Sequence, residues 1–255
     1  MRVTFLGTGT SGGVPLIGCR CEVCLSTDPR DKRLRTSIMI EEEDLRIVVD
    51  CGPDFRQQML RTGVDRLDAI LFTHAHKDHT GGIDDIRSFN FIMGKPLDFY
   101  CDYATELGIK EQYAYAFSET DYPYLPKMTF HRIDDEHTFY IRHLAITPIR
   151  VMHGPMPVLG FRFGEKFTYI TDAKTITPEE RRKITGTKIL VLNALRETEH
   201  YSHFTIRQAI EIVEDIRPET CYFIHMSHQF GLHAQMEKKL PPNIKISYDG
   251  LQILI

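Results

Sequence analysis

The chain has 255 residues, 31 basic against 35 acidic side chains, a formal net charge of -4 and a 42% hydrophobic content. That fits one sizeable core and excludes a disordered, collagen-like or disulfide-stapled chain. No stretch approaches the roughly 18 consecutive apolar residues of a membrane span, and the slight acidic excess argues against a general nucleic-acid binder.

In chain order, residues 2–6 alternate and end in glycine, which predicts a first strand. Gly7-Thr8-Gly9-Thr10-Ser11-Gly12-Gly13 opens a loop. It lacks the Gly-Lys-Ser/Thr of a phosphate loop and no helical pattern follows, so it reads as a turn that lets backbone approach a site closely. Residues 36–50 read as a hairpin about the acidic turn Glu41-Glu42-Glu43-Asp44. Pro53 opens a helix over 54–62 that Gly63 stops. A short apolar run at 69–73 reads as a buried strand. Further strands are expected at 97–100, 128–133, 144–152, 158–163, 167–171, 188–192, 221–224 and 244–247. A helix is expected at 205–216, with Pro218 beyond it. Strands with helices between them predict an α/β or α+β layered fold. There is no repeat, low-complexity tract or linker, which predicts a single domain over 1–255. The opening residues lack a charged segment followed by an apolar one, so a cytoplasmic location is expected.

Two clusters carry the chemistry. Three of the six cysteines lie in Cys19-Arg20-Cys21-Glu22-Val23-Cys24, while Cys51, Cys101 and Cys221 sit alone in apolar surroundings. A tight thiol cluster in a cytosolic chain reads as a structural zinc site needing a fourth ligand, often histidine. The second cluster is Thr73-His74-Ala75-His76-Lys77-Asp78-His79, directly after the strand at 69–73. His74 and His76 share a face of an extended segment. Asp78 and His79 then reach a second position after the turn. Imidazole and carboxylate donors suit zinc, manganese or iron.

The His-x-His-x-Asp-His run resembles that of the metallo-β-lactamase superfamily. The opening Gly-rich strand end, the Val48-Val49-Asp50-Cys51-Gly52 strand end, His153, Asp172 and His225 follow in that family's order. The resemblance implies an α/β fold, the four-layer αββα metallo-β-lactamase sandwich, with two divalent metal ions, manganese or zinc, at the active site. It implies that His74, His76 and His153 serve one ion, Asp78, His79 and His225 the other, and that Asp172 bridges them. Asp50 is implied to hold a ligand histidine by its other N–H.

Three features narrow the resemblance to PhnP-type cyclic-phosphate phosphodiesterases. They are the Cys-x-Cys-x-x-Cys loop, His225-Met226-Ser227-His228 followed by Tyr248-Asp249-Gly250-Leu251, and the compact length. The resemblance implies one structural zinc on Cys19, Cys21, Cys24 and His228, with His233 as an alternative fourth ligand. It also implies that a histidine before the helix at 205–216 protonates the leaving oxygen. His203 matches best and His200 is the alternative, or a phosphate contact. The implied catalytic residues are His203, Asp78 and Asp172. The implied chemistry is hydrolysis of a small, cyclic or open, phosphodiester by a hydroxide activated on the metal pair.

The segment between His79 and His153 is rich in aromatics: Tyr103, Tyr113, Tyr115, Phe117, Tyr122 and Tyr124. From Lys95 to Leu125 it carries six acidic and two basic residues. That balance disfavours long RNA, whose binding rests on phosphate neutralisation, and favours a small phosphorylated substrate. No membrane partner is expected, and a homodimer is suggested by the resemblance alone. Arg35, Lys77, Lys174 and Arg196 are candidate phosphate contacts. The rival readings are a hydrolase of a lactone, thioester or other ester, a PqqB-like redox protein sharing the cysteine loop, and a non-catalytic binding protein.

Overall fold

The computed structural model describes residues 1–118 and 122–255. Their strands form two seven-stranded mixed sheets, and the chain divides into two compact units. The first holds residues 1–6, 37–134 and 252–254; the second holds 7–36, 135–251 and 255. Strands β1 (Arg2–Gly7), β2 (Ser37–Glu42), β3 (Leu45–Val49), β4 (Ala69–Leu71), β5 (Leu97–Cys101) and β6 (Met128–Arg132) lie in the first sheet. Strands β7 (Phe139–Ile141), β8 (Leu144–His153), β9 (Met156–Phe163), β10 (Phe167–Ile170), β11 (Ile189–Asn193), β12 (Thr220–Ile224) and β13 (Ile244–Ile246) lie in the second. The last strand, β14 (Gln252–Leu254), returns to the first sheet.

The first sheet runs β14-β1-β2-β3-β4-β5-β6. β2 and β3 form the expected hairpin, with Ile40 opposite Ile47 and Glu42 opposite Leu45. β3, β4, β5 and β6 are parallel, and Val49 pairs with Leu71. That register sets Asp50 and the segment after Leu71 side by side at the carboxyl ends of two strands, where open parallel sheets place their ligands. The expected helix is Phe55–Thr62, closed by Gly63 at φ 68°. Phe55, Phe72, Phe89 and Phe99 are buried in this unit's core, and the rings of Phe72 and Phe99 meet edge-on at 4.8 Å.

The second sheet runs β13-β12-β11-β10-β9-β8-β7. β10, β11 and β12 are parallel, with Ile170 opposite Leu192 and Asn193 opposite Ile224. Asp172 and His225 therefore follow the ends of the two strands that flank β11, and His153 ends β8 at the tip of the β8–β9 hairpin. Buried Asn193 clamps the turn after β10. Its side-chain carbonyl accepts the Ala173 N–H at 2.8 Å, and its amide donates to the Ala173 carbonyl at 2.9 Å. The expected second helix is Ile206–Ile216. Thr205 and Gln208 make a reciprocal capping box at its start, and Ile206, Ala209, Ile212 and Val213 bury its apolar face.

Some elements lacked a periodic signal. Helix Tyr103–Gln112 buries only Thr105, Glu106 and Ile109, so no apolar stripe marks it, although Asp102 caps it through the Thr105 N–H. Helix Pro178–Ile184 is marked by capping Thr177, by proline and acidic residues in its first turn and by basic residues in its last, not by an apolar stripe. β7 and β14 are three residues long, too short to show alternation. No helix among the described residues is long and apolar enough to cross a membrane.

Candidate metal centres and active site

In the first unit, the chain leaves β4 in an extended run to His76, which precedes the short helix Lys77–Thr80. Gly82 lets that helix settle on the end of β3, because a Cβ there would lie 2.2 Å from the Gly52 carbonyl oxygen. Asp50, fully buried and held at φ 65°, organises the cluster. Its Oδ1 accepts the Thr73 N–H at 2.9 Å. Its Oδ2 accepts the Thr73 hydroxyl at 2.9 Å and His79 Nδ1–H at 2.7 Å. The Thr73 hydroxyl spends its one proton on Asp50, so His74 Nδ1–H donates to Thr73 Oγ1 at 2.9 Å. Both imidazoles thereby present Nε2 lone pairs. His74 Nε2 faces His76 Nδ1 at 3.0 Å, and His79 Nε2 lies 3.3 Å from Asp78 Oδ2. Burial raises the Asp50 pKa, opposed by His79 and Thr73. Replacing Asp50 by alanine removes the acceptor that fixes His79. Zinc affinity should then fall by about 10–100-fold in a competition titration against a chromophoric chelator. Unchanged affinity would remove this role from Asp50.

In the second unit, His153, Asp172 and His203 each offer a ligand atom within 4.8 Å of the others. His153 Nδ1–H donates to the Ser202 carbonyl at 3.0 Å, leaving Nε2 for a ligand. Asp172 Oδ2 accepts the Thr171 hydroxyl at 2.6 Å and lies 3.3 Å from His225 Nδ1. Thr10 of the Gly-rich loop reaches His225 Nε2 at 3.3 Å, a contact that sequence patterning did not reveal. His203 Nδ1 is buried without a hydrogen-bond partner, 3.8 Å from Asp172 Oδ1. Burial first, and then the His225 imidazole, push His203 down to about 3, with Asp172 pulling the other way. The His200 ring lies 4.9 Å from that of His203, and burial lowers its pKa too. Asp172 and His225 both have φ 58°, like Asp50 in the left-handed region, a strain that persists in non-glycine residues at functional sites.

A third cluster also lies in the second unit. Cys19, Cys21, Cys24 and His228 each place a donor within 4.8 Å of the others, and the Cys19 and Cys21 sulfurs both lie 3.4 Å from His228 Nδ1. The Cys24 backbone N–H, then His228, lower the Cys21 thiol to about 6. His233, the alternative fourth ligand, is committed elsewhere. Its Nδ1 meets the buried Arg33 guanidinium at 3.4 Å and its N–H donates to Asp31. Three soft sulfur donors and one imidazole fit a tetrahedral zinc ion. The histidine and carboxylate sets, with the Nδ1 protons of His74, His79 and His153 tied to oxygens, fit divalent metals of intermediate softness.

The candidate phosphate contacts are largely occupied. Lys174 pairs with Glu199 at 2.9 Å and Gln208 at 3.1 Å. Arg196 binds the Thr198 and Glu199 carbonyls and Gln229. Arg35 donates to the Ser11 carbonyl. Lys77 is exposed at the start of its short helix. Among the segment's aromatics, Tyr113 is a core residue whose hydroxyl donates to the Thr80 carbonyl. Tyr103, Tyr115, Phe117, Tyr122 and Tyr124 are exposed. Of that segment's six acidic residues, Glu119 and Asp121 lie outside the described residues.

The model of the β-lactamase superfamily domain matches residues 45–226. The chain belongs to the metallo-β-lactamase superfamily. A diphosphatase of the PhnP family superposes with a TM-score of 0.93 at 35% identity, covering 100% of this chain and 97% of that one. Zn(2+)-bound PqqB from Methylobacterium extorquens shares the metallo-β-lactamase fold, with a TM-score of 0.82 at 20% identity over 100% of both chains. An octanoyltransferase of Porphyromonas gingivalis is 41% identical over 100% of this chain, which spans only 52% of that protein's length.

Proposed function

We propose that this chain is a metal-dependent phosphodiesterase for small phosphorylated molecules. The observation that carries this reading is the 35% identity, over the whole chain, to a PhnP-family diphosphatase. The imidazole of His203, buried beside Asp172 without a hydrogen bond to its Nδ1, supports it. By the superfamily's pattern, His74, His76, Asp78, His79, His153, Asp172 and His225 are assigned to two divalent ions, manganese or zinc. Cys19, Cys21, Cys24 and His228 are assigned to a structural zinc.

Such ions supply positive charge to a phosphate and lower the pKa of water. The protein's own residues supply orientation and the proton. Asp50 and Thr73 fix the tautomers of His79 and His74, and Ser202 fixes that of His153. His203 is assigned the proton for the departing oxygen. An anionic phosphate ester beside it opposes the burial that holds it neutral, so substrate binding loads the donor. The acidic, aromatic segment and the net negative charge support a small ligand rather than long nucleic acid.

A second reading, hydrolysis of a thioester, lactone or other acyl ester, is favoured by one observation: the 41% identical relative is named for transfer of an acyl group. One panel separates the two. Protein reconstituted with manganese or zinc is given bis(p-nitrophenyl) phosphate, a p-nitrophenyl monoester, a lactone and an acyl thioester, with Asp78→Ala alongside. Selective diester cleavage, lost by about 100-fold or more in Asp78→Ala, is expected. Acyl-ester cleavage without diester cleavage would overturn the phosphodiesterase reading.

A further inference from the structure

We propose that Tyr201 forms a stacking platform for a ring-bearing phosphate ester at the His153–Asp172–His203 cluster, a subsite that rests on the phosphate-ester reading above. Tyr201 is 76% exposed, more than any other aromatic side chain among the described residues. Its backbone is nevertheless tied down on both sides. The Ser202 N–H donates to His200 Nδ1 at 3.3 Å, and the Ser202 carbonyl accepts His153 Nδ1–H at 3.0 Å. Arg196 holds the carbonyls of Thr198 and Glu199 just before it. The ring edge rests on Gly154, next to His153. A Cβ at Gly154 would lie 3.0 Å from Tyr201 Cε1, and the φ of 61° there also favours glycine.

Two loops bearing candidate site histidines thus meet through this contact and fix an apolar ring face in solvent. Gly154 follows His153, whose ring lies 4.6 Å from that of His203, with His200 4.9 Å beyond, and His203 and His153 cluster with Asp172. A pre-positioned aromatic face loses little conformational freedom when a ligand ring lies on it, and such stacking tolerates different rings because each has a π face. The ligand class is therefore a phosphate or phosphonate ester whose substituent is flat, a nucleobase or phenyl group, in preference to a purely alkyl one.

The test uses two probes that differ only in the ring, phenylphosphonate and methylphosphonate, titrated calorimetrically into zinc-reconstituted protein. The wild type should bind the phenyl compound about tenfold more tightly. Tyr201→Ala should lose that preference with methylphosphonate affinity unchanged, and Tyr201→Phe should keep it. Equal affinity of the wild type for both probes, binding of neither, persistence of the preference in Tyr201→Ala, or equal loss of both probes in that variant would each overturn the subsite. An intact ring preference in a protein that cleaves no diester would sink the phosphodiesterase reading and leave the subsite standing.

Discussion

Replacing His203 by alanine lowers kcat for an alkyl phosphodiester by about 10²–10⁴-fold, the usual worth of one general acid. An alkoxide leaves poorly without a proton, whereas p-nitrophenolate leaves readily. The same variant should therefore lose far less on bis(p-nitrophenyl) phosphate, and the difference between the substrates is the diagnostic. A structural role for His203 would instead depress both rates together. The geometry makes the distinction sharp. His203 is buried, its Nδ1 has no hydrogen-bond partner, and it lies 3.8 Å from Asp172. An equal loss on both substrates, accompanied by a lower metal content, would reassign His203 as a ligand alongside His153 and Asp172, within whose 4.8 Å cluster it lies. His200→Ala, run in parallel, should have the smaller effect on the alkyl ester, because its Nδ1 already accepts the Ser202 N–H.

The second large effect concerns the thiol cluster. Cys21→Ser should lower the zinc content by one ion per chain and cut thermal stability by several degrees or more, read by metal analysis and a melting curve. A structural zinc ion binds with an apparent free energy of about 10–16 kcal/mol in small peptides, of which a folded protein retains the part that ordering the loop would otherwise consume. Here the ion would join Cys19, Cys21 and Cys24 to His228, all in the second unit. The serine variant keeps shape and hydrogen bonding, so its loss reports the sulfur donor rather than packing. An unchanged zinc content would show that the cluster is not a zinc site. His233→Ala should leave the zinc content intact, since its ring is spent on Arg33.

Several parts of this arrangement were legible because local spacing alone determines them. His74, His76, Asp78 and His79 fall within six residues after an apolar strand, so any fold that buries that strand delivers them together. Helix Ile206–Ile216 was equally plain, because its cap and apolar face are both encoded within a dozen residues. His153, Asp172, His225 and His228 carried no such local mark. Only family order connected them, since it takes the parallel pairing of β10 and β12 to either side of β11 to set Asp172 and His225 at one end of the sheet. The positioning roles of Thr73, Ser202 and Thr10 carry no sequence signal, because a threonine or serine acts through whatever it happens to face. The interleaving of residues 7–36 with the second unit had no signal, for no linker or change in composition accompanies it.

The Cys21 sulfur meets an imidazole 207 residues further along the chain, and β1 pairs with β14, Arg2 opposite Leu254. At about 5–20 residues per second, a ribosome needs roughly 10–40 s to deliver His228 after Cys21 has been made. Through that interval the three thiols have their neighbours but not their nitrogen donor, and the first strand has no partner on its outer edge. During synthesis the thiols are therefore exposed to oxidants and to stray metals until His228 is made, and the outer edge of β1 stays open until β14 follows.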